Sequence, residues 1–279
     1  MVIPHLIKTQ ANPSPTVEID VLDEFGERLT KHIACERPLT ILLNWKEVVT
    51  LMTLGSQPES LVLGYLKNQG FISDITDIES LIIDWQTQSA VLVTRENVEH
   101  IESAMQKKTV TSGCGQGTMY GNVMASLEGY QVPQIHYKQS DIYRALEALS
   151  HYNKTYKKAG AVHGCAICQA DQVLSFVEDV GRHNAVDTLA GEMWQNQQSG
   201  HDKIFYTTGR LTSEMVIKVA QMGIPLLLSR SGVTQMGLEL ADKFGIITIA
   251  RAKGLRFQVY TGGERIEFDV KGDARPSPK

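Results

Sequence analysis

The chain has 279 residues, 42% of them hydrophobic and 21% charged, with a formal net charge of -4. This is the composition of a folded globular protein long enough for two modest domains. The negative balance excludes a global attraction to nucleic acid or to an acidic membrane surface. The four cysteines, Cys35, Cys114, Cys165 and Cys168, are too few and too unevenly spaced for a secreted disulfide framework and read as reduced. Met1 to Thr16 lacks the basic and continuously apolar regions of a signal peptide, and no later run is apolar enough to span a bilayer. The expectation is a cytoplasmic protein with neither a membrane nor a nucleic-acid partner.

In chain order, Thr16 to Asp23 alternates Val17, Ile19 and Val21 with acidic residues and predicts a half-buried strand closed by the turn Asp23-Glu24-Phe25-Gly26. Leu39 to Leu43 predicts a second strand. Ser56 and Pro58 precede the helical spacing of Leu61, Leu63 and Leu66, which Gly70 ends. Leu81 to Trp85 and Ala90 to Val93 predict a hairpin, and Val98 to Met105 a short helix. A boundary falls near Val132-Pro133-Gln134, after which Ser140 is placed to cap a helix carrying Ile142, Leu146 and Leu149.

From Gly160 the pattern becomes regular. Strands are predicted at Ala161 to Cys168, Val173 to Val177, Ile204 to Thr207, Ile224 to Leu228, Ile246 to Ala250 and Phe257 to Tyr260, with helices at Ala185 to Gln197, Ser213 to Met222 and Thr234 to Phe244. Alternation of this kind predicts an α/β fold with a mostly parallel sheet covered by helices. The predicted organisation is a smaller α+β domain over 1–135, an α/β domain over 136–272 and a disordered polar tail over 273–279.

Three junctions between strands and helices share one chemistry: Gly181-Arg182-His183-Asn184, Gly209-Arg210 before Thr212-Ser213, and Arg230-Ser231-Gly232 before Thr234. A helix N-terminus offers unpaired N–H donors, glycine admits close approach, and arginine adds a bidentate clamp. Any one of them fits simple helix capping. Three in succession, extended by Arg251, Lys253 and Arg256 beyond the next strand, predict a binder of phosphorylated ligand. Neither a Walker lysine motif nor a G-x-G-x-x-G fingerprint is present.

Cys114 lies in Thr111-Ser112-Gly113-Cys114-Gly115-Gln116-Gly117. Glycines on both sides favour access and anion approach, and a thiol reacts only when accessible and partly thiolate. The heptapeptide alone fits a nucleophile and a structural loop cysteine equally. Cys165-Ala166-Ile167-Cys168, with His100-Ile101-Glu102 upstream, formally imitates the H-x-E and C-x-x-C pattern of zinc deaminases. No proline precedes Cys165, however, and a strand would point Cys165 and Cys168 to opposite faces, so both read as core residues.

Arg37-Pro38-Leu39-Thr40, Leu51-Met52-Thr53, Leu63-Gly64, the Cys114 loop, the run Glu178 to Asp187, Gly209-Arg210, Gly223-Ile224-Pro225 and Arg256 to Thr261 together resemble the FdhD-type formate dehydrogenase accessory sulfurtransferases. The resemblance implies a carrier that takes persulfide sulfur from a cysteine desulfurase and passes it to the molybdenum cofactor of formate dehydrogenase. That cofactor, a molybdenum bis(molybdopterin guanine dinucleotide), would be a bound substrate, with no permanently bound metal. The resemblance also implies a cytidine-deaminase-like second domain and a homodimer. Carried over by position, it makes Cys114 the persulfide-bearing nucleophile and Arg251, Ala252, Lys253, Gly254, Leu255 and Arg256 the cofactor-binding stretch. The cationic junctions add Gly181, Arg182, His183, Asn184, Gly209 and Arg210 to that expected site. Many family members carry C-x-x-C in the loop, whereas Gly117 occupies the second position here. A single thiol cannot expel the sulfur through a local disulfide. That departure leaves a non-covalent cofactor chaperone as the alternative.

Overall fold

The computed structural model describes residues 5–7, 13–95, 109–110, 117–118 and 120–270. Two compact units interleave along the chain. The first comprises residues 1–126, 154–163 and 178–197; the second comprises 127–153, 164–177 and 198–279. The first unit thus takes back two stretches from the region that the sequence assigns to a second domain. The predicted helix Val98 to Met105 and the tail 273–279 lie outside the described residues.

The first unit is built on a five-stranded sheet. Its strands are β1 (His5–Ile7), β4 (Arg37–Leu43), β5 (Lys46–Thr53), β6 (Ile78–Asp84) and β7 (Ser89–Thr94), in the order β1-β6-β7-β4-β5. Between β1 and β4, β2 (Thr16–Leu22) and β3 (Arg28–Ala34) form a separate antiparallel ribbon. Sequence reading finds β2 but not β3, because Lys31 and His32 interrupt its apolar alternation and most of the strand is exposed. It also misses β5. The connection from β4 is a two-residue turn in which Asn44 and Trp45 both have positive φ, 48° and 66°. Trp45 stands where such turns usually carry glycine, so the hairpin signal is absent.

Alternate residues of the strands turn one way. Leu39, Ile41 and Leu43 of β4, Leu81 and Ile83 of β6, and Ala90 and Leu92 of β7 form one core with Leu61, Leu63 and Leu66 of helix α1 (Pro58–Asn68). Gln57, between Ser56 and Pro58, is the residue at the N-cap, and it holds a left-handed φ of 47°. Downstream lie β8 (Thr109–Val110), β9 (Gly117–Thr118), which pair antiparallel, and α2 (Tyr120–Ser126).

In the second unit, β10 (Tyr137–Lys138) leads into α3 (Gln139–Leu149). The N-cap is Lys138, so Ser140 is inside the helix rather than capping it; its backbone N–H and hydroxyl both donate to Asp269. The short helix α4 (Lys154–Ala159) returns to the first unit. The second unit's sheet comprises β11 (His163–Gln169), β12 (Gln172–Asp179), β13 (Lys203–Thr207), β14 (Leu226–Ser229), β15 (Ile247–Lys253) and β16 (Arg256–Thr261), in the order β12-β11-β13-β14-β15-β16. The central β13-β14-β15 pairs are parallel, but β11-β13 and β15-β16 are antiparallel. The sheet is therefore mixed rather than mostly parallel, because hairpin connections replace helical crossovers at both ends. Ala166, Cys168, Ile204, Tyr206, Leu226, Leu228, Ile247 and Ile249 share one core with Ile142, Leu146 and Leu149 of α3. The sheet's other helices are α6 (Ser213–Gln221) and α7 (Gln235–Lys243), close to their predicted bounds.

Helix α5 (Arg182–Gln195), predicted to begin at Ala185, belongs to the first unit. Its packing on α1 explains why. Gly64 of α1 and Gly191 of α5 meet at the crossing: a Cβ on Gly64 would land on the Asp187 carbonyl oxygen and lie 2.7 Å from Gly191 N, and one on Gly191 would strike the Ser60 carbonyl oxygen. Asn68 Nδ2 donates to Asp187 Oδ1 at 2.7 Å and Gln195 Nε2 to Ser60 Oγ at 3.0 Å, pinning both ends of the contact. Since the obstructing atoms are backbone, they can yield only if the helices separate. Gly64→Ala is expected to destabilise the chain by about 3 kcal/mol or more, at or beyond the upper end of ordinary overpacking. Urea unfolding monitored by circular dichroism checks this, and an unchanged midpoint would refute the crossing.

Candidate functional site

The expected site residues divide between the two units. Gly181, Arg182, His183 and Asn184 open α5 in the first unit. Arg182, His183 and Asn184 are buried, and Asp187 has no exposed surface. Their surroundings show what this segment does locally. Asp179 Oδ2 accepts from Thr53 Oγ1 at 2.5 Å and Leu54 N at 3.0 Å, and its Oδ1 accepts from Gly181 N at 3.0 Å and Asn184 Nδ2 at 2.8 Å. The same Asn184 amide donates to Met52 O at 2.6 Å. Burial pushes the Asp179 carboxyl up, while Thr53, Gly181, Asn184 and Leu54 each pull it back down. Glu178 accepts the backbone N–H groups of Thr155 and Tyr156, both at 2.8 Å, and so ties down the start of α4. The run Glu178 to Asp187, one of the stretches that carry the family resemblance, thus joins the end of β5, α4 and α1 to the start of α5. The amide of Asn184, expected at a ligand, is engaged in this framework.

The second unit holds the remaining cationic residues. Arg210 follows the end of β13, Arg230 follows β14, and Arg251 lies near the end of β15; all three are exposed. Because β13, β14 and β15 are adjacent and parallel, their C-terminal ends form one edge, the place where α/β sheets present loops to ligands. Arg230 N donates to Thr207 O at 3.1 Å and Arg251 N to Ser231 O at 2.8 Å, so the three loops are bonded side by side.

The stretch Arg251 to Arg256 is the tip of the β15-β16 hairpin. Lys253 pairs with Arg256 across Gly254 and Leu255, with Gly254 at φ +58°. Arg251, Lys253, Gly254, Leu255 and Arg256 are exposed, but Ala252 is buried and packs into the core. A register shift between Ala250 and Lys253 accompanies a left-handed Arg251, φ +52°, a conformation costly for a residue with a Cβ.

Sequence reading does not mark the hydroxyl residues under this edge as part of a site. Thr207 and Ser229 each end an apolar strand immediately before a loop containing an arginine, and that repeated hydroxyl is the only signal the sequence offers. Tyr206, one residue earlier, is pushed up to about 12 by burial, while the Arg230 guanidinium bonded to its hydroxyl pulls in the opposite direction.

Cys114 and His100 lie outside the described residues, Cys114 in the connection between β8 and β9. Cys165 and Cys168 are buried on β11, where Cys168 joins the sheet core and the Cys165 thiol donates to Thr207 Oγ1 at 3.2 Å. Among the described residues no group of three or more His, Cys, Asp and Glu side chains is arranged to hold a metal. None of the described helices is long and apolar enough to cross a membrane.

These features define a two-unit mixed α/β protein with a cationic edge at the ends of parallel strands. The chain belongs to the FdhD/NarQ family, whose model matches residues 34–267. It is 32% identical over 247 residues to a protein of Listeria monocytogenes (serotype 4b, strain F2365) named sulfur carrier protein FdhD, the match covering 86% of this chain and 93% of that one. A protein of the same name from Bacillus subtilis (strain 168) is 30% identical over 247 residues, covering 87% and 94% of the two chains. The fold is similar to a crystal structure from Desulfotalea psychrophila, of a protein named as a formate dehydrogenase accessory protein. That likeness has a TM-score of 0.72 at 26% identity and covers 90% of this chain and 98% of that one.

Three outcomes follow from this geometry. Burial pushes the Cys168 thiol up to about 12, whereas an unfolded cysteine ionises near about 8.5. Between those values the native state keeps a proton that the unfolded chain has lost, so this group lowers stability as pH rises. Cys168→Ala should flatten the alkaline fall in the urea midpoint, and iodoacetamide at pH 8 should leave Cys165 and Cys168 unlabelled, by peptide mass spectrometry, until urea is added. Replacing Arg251 by glycine removes the Cβ from a left-handed position, and Arg251→Gly should raise the thermal midpoint or leave it unchanged despite loss of the side chain. A lowered midpoint would show that the arginine stabilises the hairpin by contacts that outweigh its strain.

Proposed function

We propose that this protein is a sulfur carrier for formate dehydrogenase maturation. In this reading Cys114 accepts sulfur from a cysteine desulfurase, and the cationic edge holds the guanine dinucleotide phosphates of the molybdenum cofactor that receives it. One observation carries the reading. In a chain of the FdhD/NarQ family, Arg210, Arg230 and Arg251 stand exposed on adjoining loops at the ends of three parallel strands. Exposed guanidiniums on neighbouring loops match a pyrophosphate, which offers several oxygens to bidentate donors.

The chemistry assigned to Cys114 is nucleophilic. Its thiolate attacks the terminal sulfur of the desulfurase persulfide; the donor's S–S bond breaks, and the donor cysteine leaves as a thiolate. Cys114 then carries the sulfur as its own persulfide. Transfer onward reduces the new S–S bond by two electrons, and Gly117 cannot supply a neighbouring thiol for that step. A separate thiol, another reductant or the cofactor metal therefore takes that part. The cofactor is substrate here, and no resident metal is assigned to the chain. A cytidine-deaminase-like architecture for the second unit, a homodimer and a cytoplasmic location complete the reading, with the desulfurase and formate dehydrogenase as partners.

Gly117 favours a second reading, in which the protein delivers or shields the cofactor without forming a covalent intermediate. Intact mass separates the two. After incubation with a desulfurase and cysteine, the wild type should gain the mass of one sulfur atom, lost again on reduction, and Cys114→Ala should gain none and fail to activate formate dehydrogenase while still binding a cofactor analogue. Full activation by Cys114→Ala would favour the chaperone.

A further inference from the structure

Beneath the cationic edge, Cys165 of β11, Thr207 of β13 and Ser229 of β14 stand side by side in register, and all three have no exposed surface. Thr207 Oγ1 accepts from the Cys165 thiol at 3.2 Å and from Gly209 N at 3.0 Å. Ser229 Oγ donates to Gly209 O at 2.7 Å and accepts from Ser231 N at 2.9 Å. Gly209 is therefore gripped at both its N–H and its C=O by hydroxyls from two different strands. Ser231 is gripped likewise, its N–H by Ser229 and its C=O by Arg251 N at 2.8 Å. The consequence lies one residue away in each loop. Arg210 follows Gly209, Arg230 lies between Ser229 and Ser231, and Arg251 closes the series, so all three exposed arginines extend from backbone that one hydrogen-bonded network fixes.

A hydroxyl at a strand end often does no more than satisfy a turn. Two features set this pair apart. Besides closing its own loop on Ser231 N, Ser229 reaches across to the C=O of the glycine whose N–H Thr207 holds, and the network ends on Arg251, a non-glycine residue held in the left-handed region at φ +52°. Backbone held there persists only where its surroundings impose it, and such strain gathers at ligand clamps. An anion bound by long flexible side chains on mobile loops would have to order both, whereas fixed loops leave only the side chains to order.

We propose that Thr207 and Ser229 are positioning residues for the anion-binding edge, setting the loop geometry from which Arg210, Arg230 and Arg251 reach a phosphorylated ligand. The inference rests on the reading of that edge as the cofactor's phosphate site. Guanosine diphosphate is the probe, titrated calorimetrically into the full chain at fixed ionic strength. Thr207→Val and Ser229→Ala should each weaken binding about tenfold, as loss of a fixed hydrogen-bonded support predicts, and Thr207→Ser, which keeps the hydroxyl, should bind within about twofold of the wild type. A folded variant pair that binds within about twofold of the wild type overturns the inference and leaves the phosphate site standing. A wild type that does not bind the probe overturns that site and the inference together.

Hydrogen exchange on the wild type supplies a test that does not depend on the variants folding. The Gly209, Ser231 and Arg251 amides should exchange slowly without ligand and change little on saturation with guanosine diphosphate. Fast exchange in the unliganded protein, slowed only by the probe, would mean that the ligand orders the loops and would overturn the proposal even where binding is tight.

Discussion

Helices α1 and α5 touch backbone to backbone because neither has a side chain at the point where they cross. The first unit depends on that contact. Gly64 and Gly191 let the helices close to a distance at which Asn68 reaches Asp187 and Gln195 reaches Ser60, and each of those polar pairs would be out of range in a pair of helices separated by methyl groups. Close packing of this kind leaves few options for adjustment, since the atoms in the way are carbonyl oxygens and amide nitrogens rather than rotatable side chains. It also accounts for the place of α5 in the first unit, although the sheet strands on either side of it in sequence belong to the second. The interleaving of the two units follows from that crossing together with the Glu178 cap on α4.

A second constraint acts at the start of α5. A carboxylate removed from water must be compensated by donors, and Asp179 receives four, from Thr53, Leu54, Gly181 and Asn184. These come from the end of β5 and the opening of α5, segments more than a hundred residues apart, so the charge serves as the joint between them. The second unit solves a similar problem with neutral groups. Thr207 and Ser229 bond glycine and serine backbone at the strand ends, and the arginines of the adjoining loops are exposed. The buried polar chemistry of the first unit is thereby committed to architecture, and that of the second supports an exposed cationic surface.

Much of the second unit was legible before the structure. Apolar runs such as Ile204 to Thr207 and Leu226 to Leu228, separated by helices of clear period, identify strands by length and spacing alone, and Thr234 caps its helix through Gly237 N as its residue type suggests. Legibility fails where the cue is not local. The hairpin of β4 and β5 turns through Asn44 and Trp45, a pair without the usual glycine, and β3 is too polar to read as a strand. The run from Glu178 to Asp187 carries residue types, Asp, Gly, Arg, His and Asn, that suit a phosphate site and a buried polar joint equally well. Only burial and partners distinguish the two, and neither is encoded in neighbouring positions.

The sequence by itself determined the family, the alternation of strands and helices after Gly160, the burial of Cys165 and Cys168 on one strand, and the set of arginines that follow strand ends. Each is a local property, carried by composition, period or an ordered motif. The tertiary structure decided which arginines share an edge, because only the order β13-β14-β15 makes Arg210, Arg230 and Arg251 neighbours. It also decided that Asn184 braces a framework, and that Thr207 and Ser229, unremarkable as letters, hold the loops of that edge. Hydrogen bonds between strands join residues without regard to their separation in the chain, so a pattern along the sequence cannot record them.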